Sequence, residues 1–205
     1  MDVIRTIEPL ASNRHRFCLV AIDYSTKWIE ATSHKSVTKK VVAKFVKSNL
    51  ICRFGVPKSV ITNNGANLNS YLMKDICEQF KITHRNSSVY WLQMNKAVET
   101  ANKNIKRILR KMIDNYQNWH KKLPYALLEY RTMTRTSTGA TPYLFVYGTK
   151  AVIPAEMEIP SLRIIQEAEL QDAEWVKNRS EQLTMREEKR MVEVCHEQLY
   201  RQRTS

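Results

Sequence analysis

The spacing of apolar residues changes along this chain, and that change constrains the fold more than any single residue does. The stretch RFCLVAIDY (16–24) is apolar and β-branched like a buried strand, and KWIEATSH (27–34) alternates as a paired strand does. DYSTK (23–27) supplies turn residues between them, so a hairpin is predicted. From residue 94 onward the apolar residues recur with helical spacing instead. Strands therefore come early and long helices late.

Helices and strands alternate between the hairpin and the long helices. Residues 36–55 have helical spacing, with Ser36 or Thr38 as the candidate N-cap and Gly55 at the end. We expect a strand at 58–62, a helix at 69–80 opened by an Asn or Ser cap, a strand at 81–87, and helices at 94–113 and 118–136. This order predicts an α/β fold, a mixed sheet flanked by helices.

The net charge of +13 is distributed unevenly along the chain. Residues 1–160 hold 25 Lys and Arg against 11 Asp and Glu, a balance of +14. Residues 161–205 hold 8 against 9, a balance of −1. A basic body suggests a polyanion partner, most simply nucleic acid. Many basic domains bind no polyanion, so charge by itself leaves the partner open.

The cysteines and the apolar runs disfavour several other classes of protein. No two cysteines form a Cys-x-x-Cys pair and no histidine has ligand spacing with them, so neither a disulfide framework nor a zinc site is expected; the four are Cys18, Cys52, Cys77 and Cys195. No apolar run is long enough to span a bilayer, and the N-terminus lacks the order of a secretory signal. We expect no membrane partner.

Several blocks, in matching order and spacing, resemble the integrase core of gypsy-type LTR retrotransposons, especially plant elements. They are HRFCLVAIDYSTKWIEA, ICRFGVPKSVITNNGANLN, EQFKITHRNSS, AVETANKNIKRILRKM and YALLEYRTMTRTSTGATPYLFVYG. The resemblance implies a ribonuclease-H-like core over residues 1–150, then an extended linker over 151–160. A long polar helix is expected over 161–205, either as a solvated linker or as a weak partner-binding helix. It also implies a fragment of a retroelement polyprotein, without the family's flanking zinc and C-terminal domains.

The resemblance further implies a site of two Asp and one Glu that holds divalent cations, Mg²⁺ or Mn²⁺. Matching the blocks places the first acid at Asp2, on the opening strand, and the last at Glu99. In the family 35 residues separate the second and third acids, and the same count back from Glu99 reaches Asn63. The family's Thr-Asp-Asn-Gly block reads TNNG here. The candidate catalytic positions are therefore Asp2, Asn63 and Glu99, with Asp2 and Glu99 as the metal ligands.

Each of these residues also has a simpler structural interpretation. The stretch ITNNGANLNS taken alone is ordinary turn chemistry, since Asn and Gly tolerate positive φ. Glu99 near a helix start suits the helix dipole, and Asp2 by itself is an unremarkable terminal acid. Asp23, a further acid at a strand end, is more simply a hairpin turn residue than a metal ligand.

Replacing an Asp by Asn63 is expected to impair catalysis. A unit-charge pair about 4 Å apart is worth roughly 4 kcal/mol at an effective dielectric near 20, and a divalent ion about doubles it. Losing part of that weakens metal binding by orders of magnitude. Other departures from the family pattern point the same way: Arg5 and Lys96 stand where Gly is usual, and Trp91-Leu92 where Arg-Pro is usual.

The partner implied by the resemblance is DNA, both element ends and target, with a homo-oligomer and a nuclear location as further expectations. Residues matching the family's polar loop and DNA-facing helix are the candidate nucleic-acid contacts: Asn64, Gln93, Asn95, Asn102, Lys103 and Lys106. Phosphate contacts of this kind are salt-sensitive and independent of sequence. A solvated helix face is the simpler interpretation of the lysines.

Three hypotheses follow from the sequence. The first is a retrotransposon integrase core that retains its fold and nucleic-acid affinity but has impaired catalysis. The second is a non-catalytic nucleic-acid-binding or interaction module derived from such a core. The third is an unexpressed relic. Metal-dependent cleavage or joining of DNA separates the first two, and detection of a transcript or peptide tests the third.

Overall fold

The computed structural model describes residues 1–5, 7, 10–87, 92–112, 118–135, 139–152, 165 and 171–204. The strands are β1 (Asp2–Ile4), β2 (Phe17–Ile22), β3 (Ile29–His34), β4 (Ser59–Thr62) and β5 (Thr83–Asn86). The helices are α1 (Lys39–Phe45), α2 (Cys52–Phe54), α3 (Tyr71–Gln79), α4 (Leu92–Met112), α5 (Trp119–Thr132), α6 (Pro142–Tyr147) and α7 (Asp172–Thr204). A π-helical segment, Val46–Ile51, joins α1 to α2. The predicted order of hairpin, helix, strand, helix, strand and long helices is confirmed.

The strands form an antiparallel sheet and a parallel pair. In the first sheet β2 lies between β1 and β3, with Asp2 opposite Val20 and Ile22 opposite Ile29. In the second, β4 and β5 run parallel. A hydrogen bond from the Met1 nitrogen to the carbonyl oxygen of Ile61 links the edge of the first sheet to β4. The combination confirms the predicted α/β class and is compatible with a ribonuclease-H-like fold.

Side chains from both faces of β2 enter separate apolar clusters. Cys18 and Val20 point into the α4–α5 core, which also contains Ile4, Ile29, Ala31, Ala101, Ile105, Ile108, Leu109, Leu123, Ala126, Leu127 and Tyr130. Leu19 and Ala21 point into the α1–α3 core, which also contains Met1, Val42, Phe45, Val46, Val60, Leu68, Met73, Ile76, Cys77 and Ile82. Alternating strand residues face opposite sides of a sheet, so α4 and α5 cover one face and α1 and α3 the other.

Two helix ends, the start of α1 and the end of α2, use residues that the sequence suggested. Thr38 caps α1, since the Val41 N–H donates to the Thr38 hydroxyl oxygen at 3.3 Å. Gly55 ends α2 with a φ of +84°, a conformation that favours glycine. Ser70 occupies the N-cap position of α3, but its hydroxyl is buried without a hydrogen-bond partner. Its carbonyl oxygen accepts the N–H groups of Met73 and Lys74 instead.

The chain separates into two compact units, Met1–Tyr24 with Ile29–Tyr130, and Ser25–Trp28 with Arg131–Ser205. In the second unit Arg179 of α7 donates to the carbonyl oxygens of Gly148 at 3.1 Å and Tyr147 at 2.9 Å. These bonds satisfy the end of α6 and attach α7 to it. The expected linker lies mostly at residues outside those described, so it stays a prediction.

No helix within the described ranges is both long and apolar enough to cross a lipid bilayer.

We expect Ile105→Ala to lower the free energy of unfolding by about 2–5 kcal/mol, because it leaves a cavity in a packed core. Ile105 is fully buried in α4, between the sheet and α5. Urea unfolding followed by circular dichroism measures the change. Arg107→Ala on the exposed side of α4 is the control and should cost about 0.5 kcal/mol or less. Equal losses in the two variants would contradict the assignment of Ile105 to the core.

Candidate active site

Asp2 lies near the junction of the two sheets and accepts three hydrogen bonds. One carboxylate oxygen, Oδ1, accepts the Val3 N–H at 2.7 Å and also the side-chain amide of Asn63. The other oxygen, Oδ2, accepts the side-chain amide of Asn102 at 2.8 Å. Two residues far apart in sequence therefore direct amide N–H groups at the same carboxylate.

Asn63 follows β4 directly, and its side-chain orientation is fixed by bonds on both of its ends. Its carbonyl oxygen Oδ1 accepts the Gly65 N–H at 3.2 Å, while its nitrogen Nδ2 donates to Asp2. The backbone then turns, with the Gly65 carbonyl oxygen accepting the N–H groups of Leu68 and Asn69. The turn predicted from the Asn-Asn-Gly sequence and the site residue predicted from the resemblance therefore coincide at Asn63.

Asn102 joins the site from the middle of α4. Its side chain is only 8% exposed, and its nitrogen donates to Asp2. Its carbonyl oxygen Oδ1 is buried without a hydrogen-bond partner. A buried carbonyl without a donor costs about 1–3 kcal/mol, so the bond to Asp2 is made at some expense. The amide of Asn102 thus faces the protein interior. Its predicted contact with nucleic acid stays a prediction.

Glu99 is exposed on α4, three residues before Asn102. Positions three apart lie on neighbouring parts of a helix surface, so Glu99 is on the side of α4 that carries Asn102. The contacts described for Asp2 are with Val3, Asn63 and Asn102, and none involves Glu99. Of the three predicted catalytic positions, Asp2 and Asn63 are in contact, and Glu99 lies about one helical turn before Asn102.

The site does not fit the two divalent cations that the resemblance implies. Such cations need oxygen ligands, and carboxylates supply most of them. Here the two amides present N–H groups, not oxygens, to Asp2. Among the described residues no group of three His, Cys, Asp or Glu side chains is arranged to hold a metal ion.

The remaining predicted contacts lie next to Asn63 in sequence or along α4. Asn64 is exposed beside Asn63, and Lys103 and Lys106 are exposed on α4. Gln93 and Asn95 lie in the first turns of α4, and their side chains are outside the described part of the chain. Asn64, Lys103 and Lys106 are therefore accessible to a ligand, and their contact with nucleic acid stays a prediction.

A second polar network, which the sequence did not indicate, holds the backbone at Asn63. The Thr62 side chain is completely buried, and its hydroxyl donates to the Asn69 side-chain oxygen at 2.7 Å. Because that proton is used, the His84 Nε2–H is the donor in the 2.9 Å contact between His84 and the Thr62 hydroxyl. The side-chain amide of Asn69 then donates to the backbone carbonyl oxygen of Asn63 at 3.0 Å. Strand β5 thus fixes residue 63 through Thr62 and Asn69.

The sequence did not predict this network, because the network depends on strand register. The parallel pairing of β4 with β5 sets Thr62 opposite Asn86, and His84 lies two residues back on the same strand. Both strands were predicted, but neither periodicity nor spacing states which residues stand opposite each other. A known parallel register would have placed His84 beside Thr62.

Comparison with known proteins finds relatives among retroviral polyproteins, although no protein-family model matches the chain. The Gag-Pol polyprotein of avian reticuloendotheliosis virus is 30% identical over 146 residues, covering 70% of this chain and 13% of the polyprotein. The Gag-Pol polyprotein of koala retrovirus is 31% identical over 147 residues, covering 71% and 9%. The Pol polyprotein of feline endogenous virus ECE1 is 30% identical over 136 residues, covering 65% and 13%.

The chain is therefore similar to one region of retroviral Gag-Pol and Pol polyproteins. The matched region spans 13% or less of the length of those three relatives. The similarity is consistent with an integrase-like region.

We expect the folding stability of the chain to fall as the pH drops below about 6.5, in part through His84. Burial, and then the nearby Lys74, lower the pKa of His84 from its ordinary value of 6.5. Protonation consequently favours the unfolded chain, so the contribution is present above pH 6.5 and is lost as the pH falls from there toward the folded-state pKa. His84→Gln retains an N–H donor that cannot titrate. Urea unfolding from pH 7.5 to 5 should give a shallower pH dependence for His84→Gln, and an unchanged slope would contradict this role.

Proposed function

We propose that this chain is the integrase core of a gypsy-type retrotransposon that retains its fold and binds nucleic acid but has impaired catalysis. The observation that carries the proposal is the contact between Asn63 and Asp2. An amide stands where the family pattern has a second carboxylate, and it donates a hydrogen bond to the first. The similarity to a region of Pol polyproteins and the α/β fold support the integrase part.

The impaired catalysis follows from charge and from hydrogen-bond direction. Two carboxylates in contact repel each other and attract a cation placed between them. In a carboxylate–amide pair, the amide N–H donates to a lone pair of the carboxylate. The two side chains together then carry one negative charge instead of two. Asp2 accepts such N–H groups on both of its oxygens. A cation must break these bonds before it can bind Asp2.

Nucleic-acid binding is proposed from the exposed charge of the fold. Helix α4 presents five basic side chains to solvent: Lys103, Lys106, Arg107, Arg110 and Lys111. The chain as a whole has a net charge of +13. Cationic side chains release counterions when they contact phosphates, which makes binding independent of sequence and sensitive to salt. We propose Lys103, Lys106 and Asn64 as contacts, with DNA as the partner and the nucleus as the location.

A second candidate, a non-catalytic nucleic-acid-binding module, is favoured by the same hydrogen bonds at Asp2. A site whose carboxylate is satisfied by protein donors is stable without a cation. If the chain has lost catalysis entirely, DNA or RNA binding without metal dependence remains. Homo-oligomerisation of the core is compatible with either candidate and is proposed on family resemblance alone.

We predict that Asn63→Asp makes the fold dependent on divalent cations. Without metal the variant should unfold about 1–3 kcal/mol more easily, because it loses a donor to Asp2 and gains a like charge there. With Mn²⁺ at about 100 times its dissociation constant it should regain about 2.7 kcal/mol. Thermal unfolding with and without Mn²⁺ measures both effects. Asn64→Asp adds the same charge at an exposed neighbour and should respond little to Mn²⁺.

Activity is assayed on the same proteins with labelled element-end DNA in Mn²⁺, alongside salt-dependent DNA binding. We expect nicking or joining from Asn63→Asp only, and DNA binding from all three proteins. Activity of the native chain would refute impaired catalysis. If none of the three proteins nicks or joins DNA but all bind it, the non-catalytic binding module becomes the better assignment. If the native chain does not bind DNA even at low salt, both candidate functions are overturned.

A further inference from the structure

Asn64 and Gly65 form the one Asn-Gly pair in the sequence, and they lie in the turn that follows β4. The Asn64 side chain is exposed, and no hydrogen bond to it is found among the residues that the structure describes. Two other asparagines of this turn are held. Asn67 donates to the backbone carbonyl oxygen of Val37 at 2.7 Å, and the Asn69 side chain is hydrogen-bonded at both of its ends. Within the described part of the chain, the Asn64 amide is therefore the least restrained in the turn.

An asparagine followed by glycine can react within its own backbone. The nitrogen of Gly65 attacks the side-chain carbon Cγ of Asn64, since the two atoms are close in the chain and Gly65 has no Cβ to obstruct the approach. The new Cγ–N bond closes a succinimide ring, the Cγ–Nδ2 bond breaks, and the amide leaves as ammonia with the proton of the Gly65 N–H. Water then opens the ring and leaves a carboxylate, as aspartate or as isoaspartate. The reaction needs no oxidant, metal or cofactor.

Asn63 is protected from the same reaction. Its amide nitrogen donates to Asp2, and its Oδ1 accepts the Gly65 N–H at 3.2 Å, so both ends of the side chain are held. The next residue is Asn64, whose Cβ crowds an attack by its backbone nitrogen. Deamidation of Asn63 would restore the carboxylate of the family pattern, whereas deamidation of Asn64 places a carboxylate one residue further along.

The hydrogen bond between Asn63 and Gly65 also slows the reaction at Asn64. The Gly65 nitrogen attacks only after it loses its proton, and that proton is directed at the Asn63 Oδ1. A Cβ built on Gly65 would lie 3.1 Å from the same oxygen, which shows how closely the two residues approach. Breaking one ordinary hydrogen bond changes a rate by about twofold to tenfold.

We propose that Asn64 is a site of spontaneous deamidation, with the Gly65 nitrogen as the nucleophile and the Asn63 side chain slowing the reaction. The product carries an added negative charge on an exposed side chain next to Asn63. The effect of this charge on binding rests on the proposed function, in which Asn64 contacts DNA. A carboxylate repels phosphate there, so the modified chain binds DNA about twofold to fivefold less tightly at low salt.

The test incubates the native chain in water enriched in heavy oxygen and follows the tryptic peptide 59–74 by mass spectrometry. Each deamidation adds one heavy oxygen atom, because ring opening takes its oxygen from water, and fragmentation locates the atom in the peptide. We expect the label at Asn64 and not at Asn63. Asn64→Gln is the control, since its longer side chain closes a ring less readily and should remain unlabelled at that position. An unlabelled native peptide, or a label at Asn63 instead, would overturn the proposal.

Three variants test the slowing by Asn63. Asn63→Ala removes both the donor to Asp2 and the acceptor of the Gly65 N–H, whereas Asn63→Ser keeps a side-chain oxygen two residues before Gly65. Asn102→Ala removes the other amide donor to Asp2 and leaves Asn63 in place. We expect labelling about twofold to tenfold faster in Asn63→Ala and close to the native rate in the other two. Equal acceleration in all three would assign the effect to loosening of the site and overturn the role of Asn63.

Amide hydrogen exchange in the native chain measures the same bond if circular dichroism shows that Asn63→Ala does not fold. After correction for intrinsic rates, the Gly65 N–H should exchange more slowly than the Ala66 N–H, for which no acceptor is found among the described residues. Equal exchange at the two positions would contradict the role of Asn63.

DNA binding before and after incubation tests the consequence of the added charge. We expect the incubated native chain and Asn64→Asp to bind less tightly than the fresh native chain, and Asn64→Gln to be unchanged by incubation. The label is read by mass, so a chain that labels at Asn64 but never binds DNA refutes the proposed function and leaves the modification standing. A chain that labels fully and binds DNA equally well before and after refutes the effect on binding.

Discussion

Strand β2 is buried on both faces, and the arrangement of the first compact unit depends on that burial. Its residues Cys18, Leu19 and Val20 are all fully buried, alternately in the α4–α5 core and the α1–α3 core. A strand with helices on both sides must be apolar throughout, which is why FCLVAI lacks the polar alternation of a surface strand. Pairing with β2 also sets the position of β1 and hence of Asp2, opposite Val20. The site is thus positioned by the packing of a strand that contributes no residue to it.

At the site, the physical consequence of an amide at position 63 is a change of partner for Asp2. A carboxylate at that position would leave two negative groups in contact, a state that a bound cation stabilises. The amide provides a proton donor, and Asn102 provides another from α4. The charge of Asp2 is then balanced by hydrogen bonds that belong to the protein. The cost appears at Asn102, whose carbonyl oxygen is buried without a partner.

Most elements of the fold were predictable from local signals in the sequence, whereas β1 was expected from the resemblance and α6 was not predicted. An apolar, β-branched run and an alternating stretch after it marked the hairpin, helical spacing marked α1, α3, α4 and α5, and Gly55 marked the end of α2. Thr38 was one of two candidate caps, and only the structure distinguishes it from Ser36. Contacts between distant residues were less accessible. The approach of Asn63 and Asn102 to Asp2 spans 61 and 100 positions, and no periodicity carries that information.

Asn102 and His84 illustrate two kinds of information about the site that the sequence did not provide. Asn102 was identified by resemblance, but a residue's name does not state whether its amide faces a ligand or the interior. That depends on the rotation of α4 about its axis, which is fixed by Ala101 and Ile105 in the core. No sequence motif includes His84, because its contact with Thr62 depends on the register of the parallel strands β4 and β5. The orientation of Asn102 and the contact of His84 with Thr62 therefore depend on helix rotation and strand register. Both are set by packing between elements and not by the local sequence that forms each element.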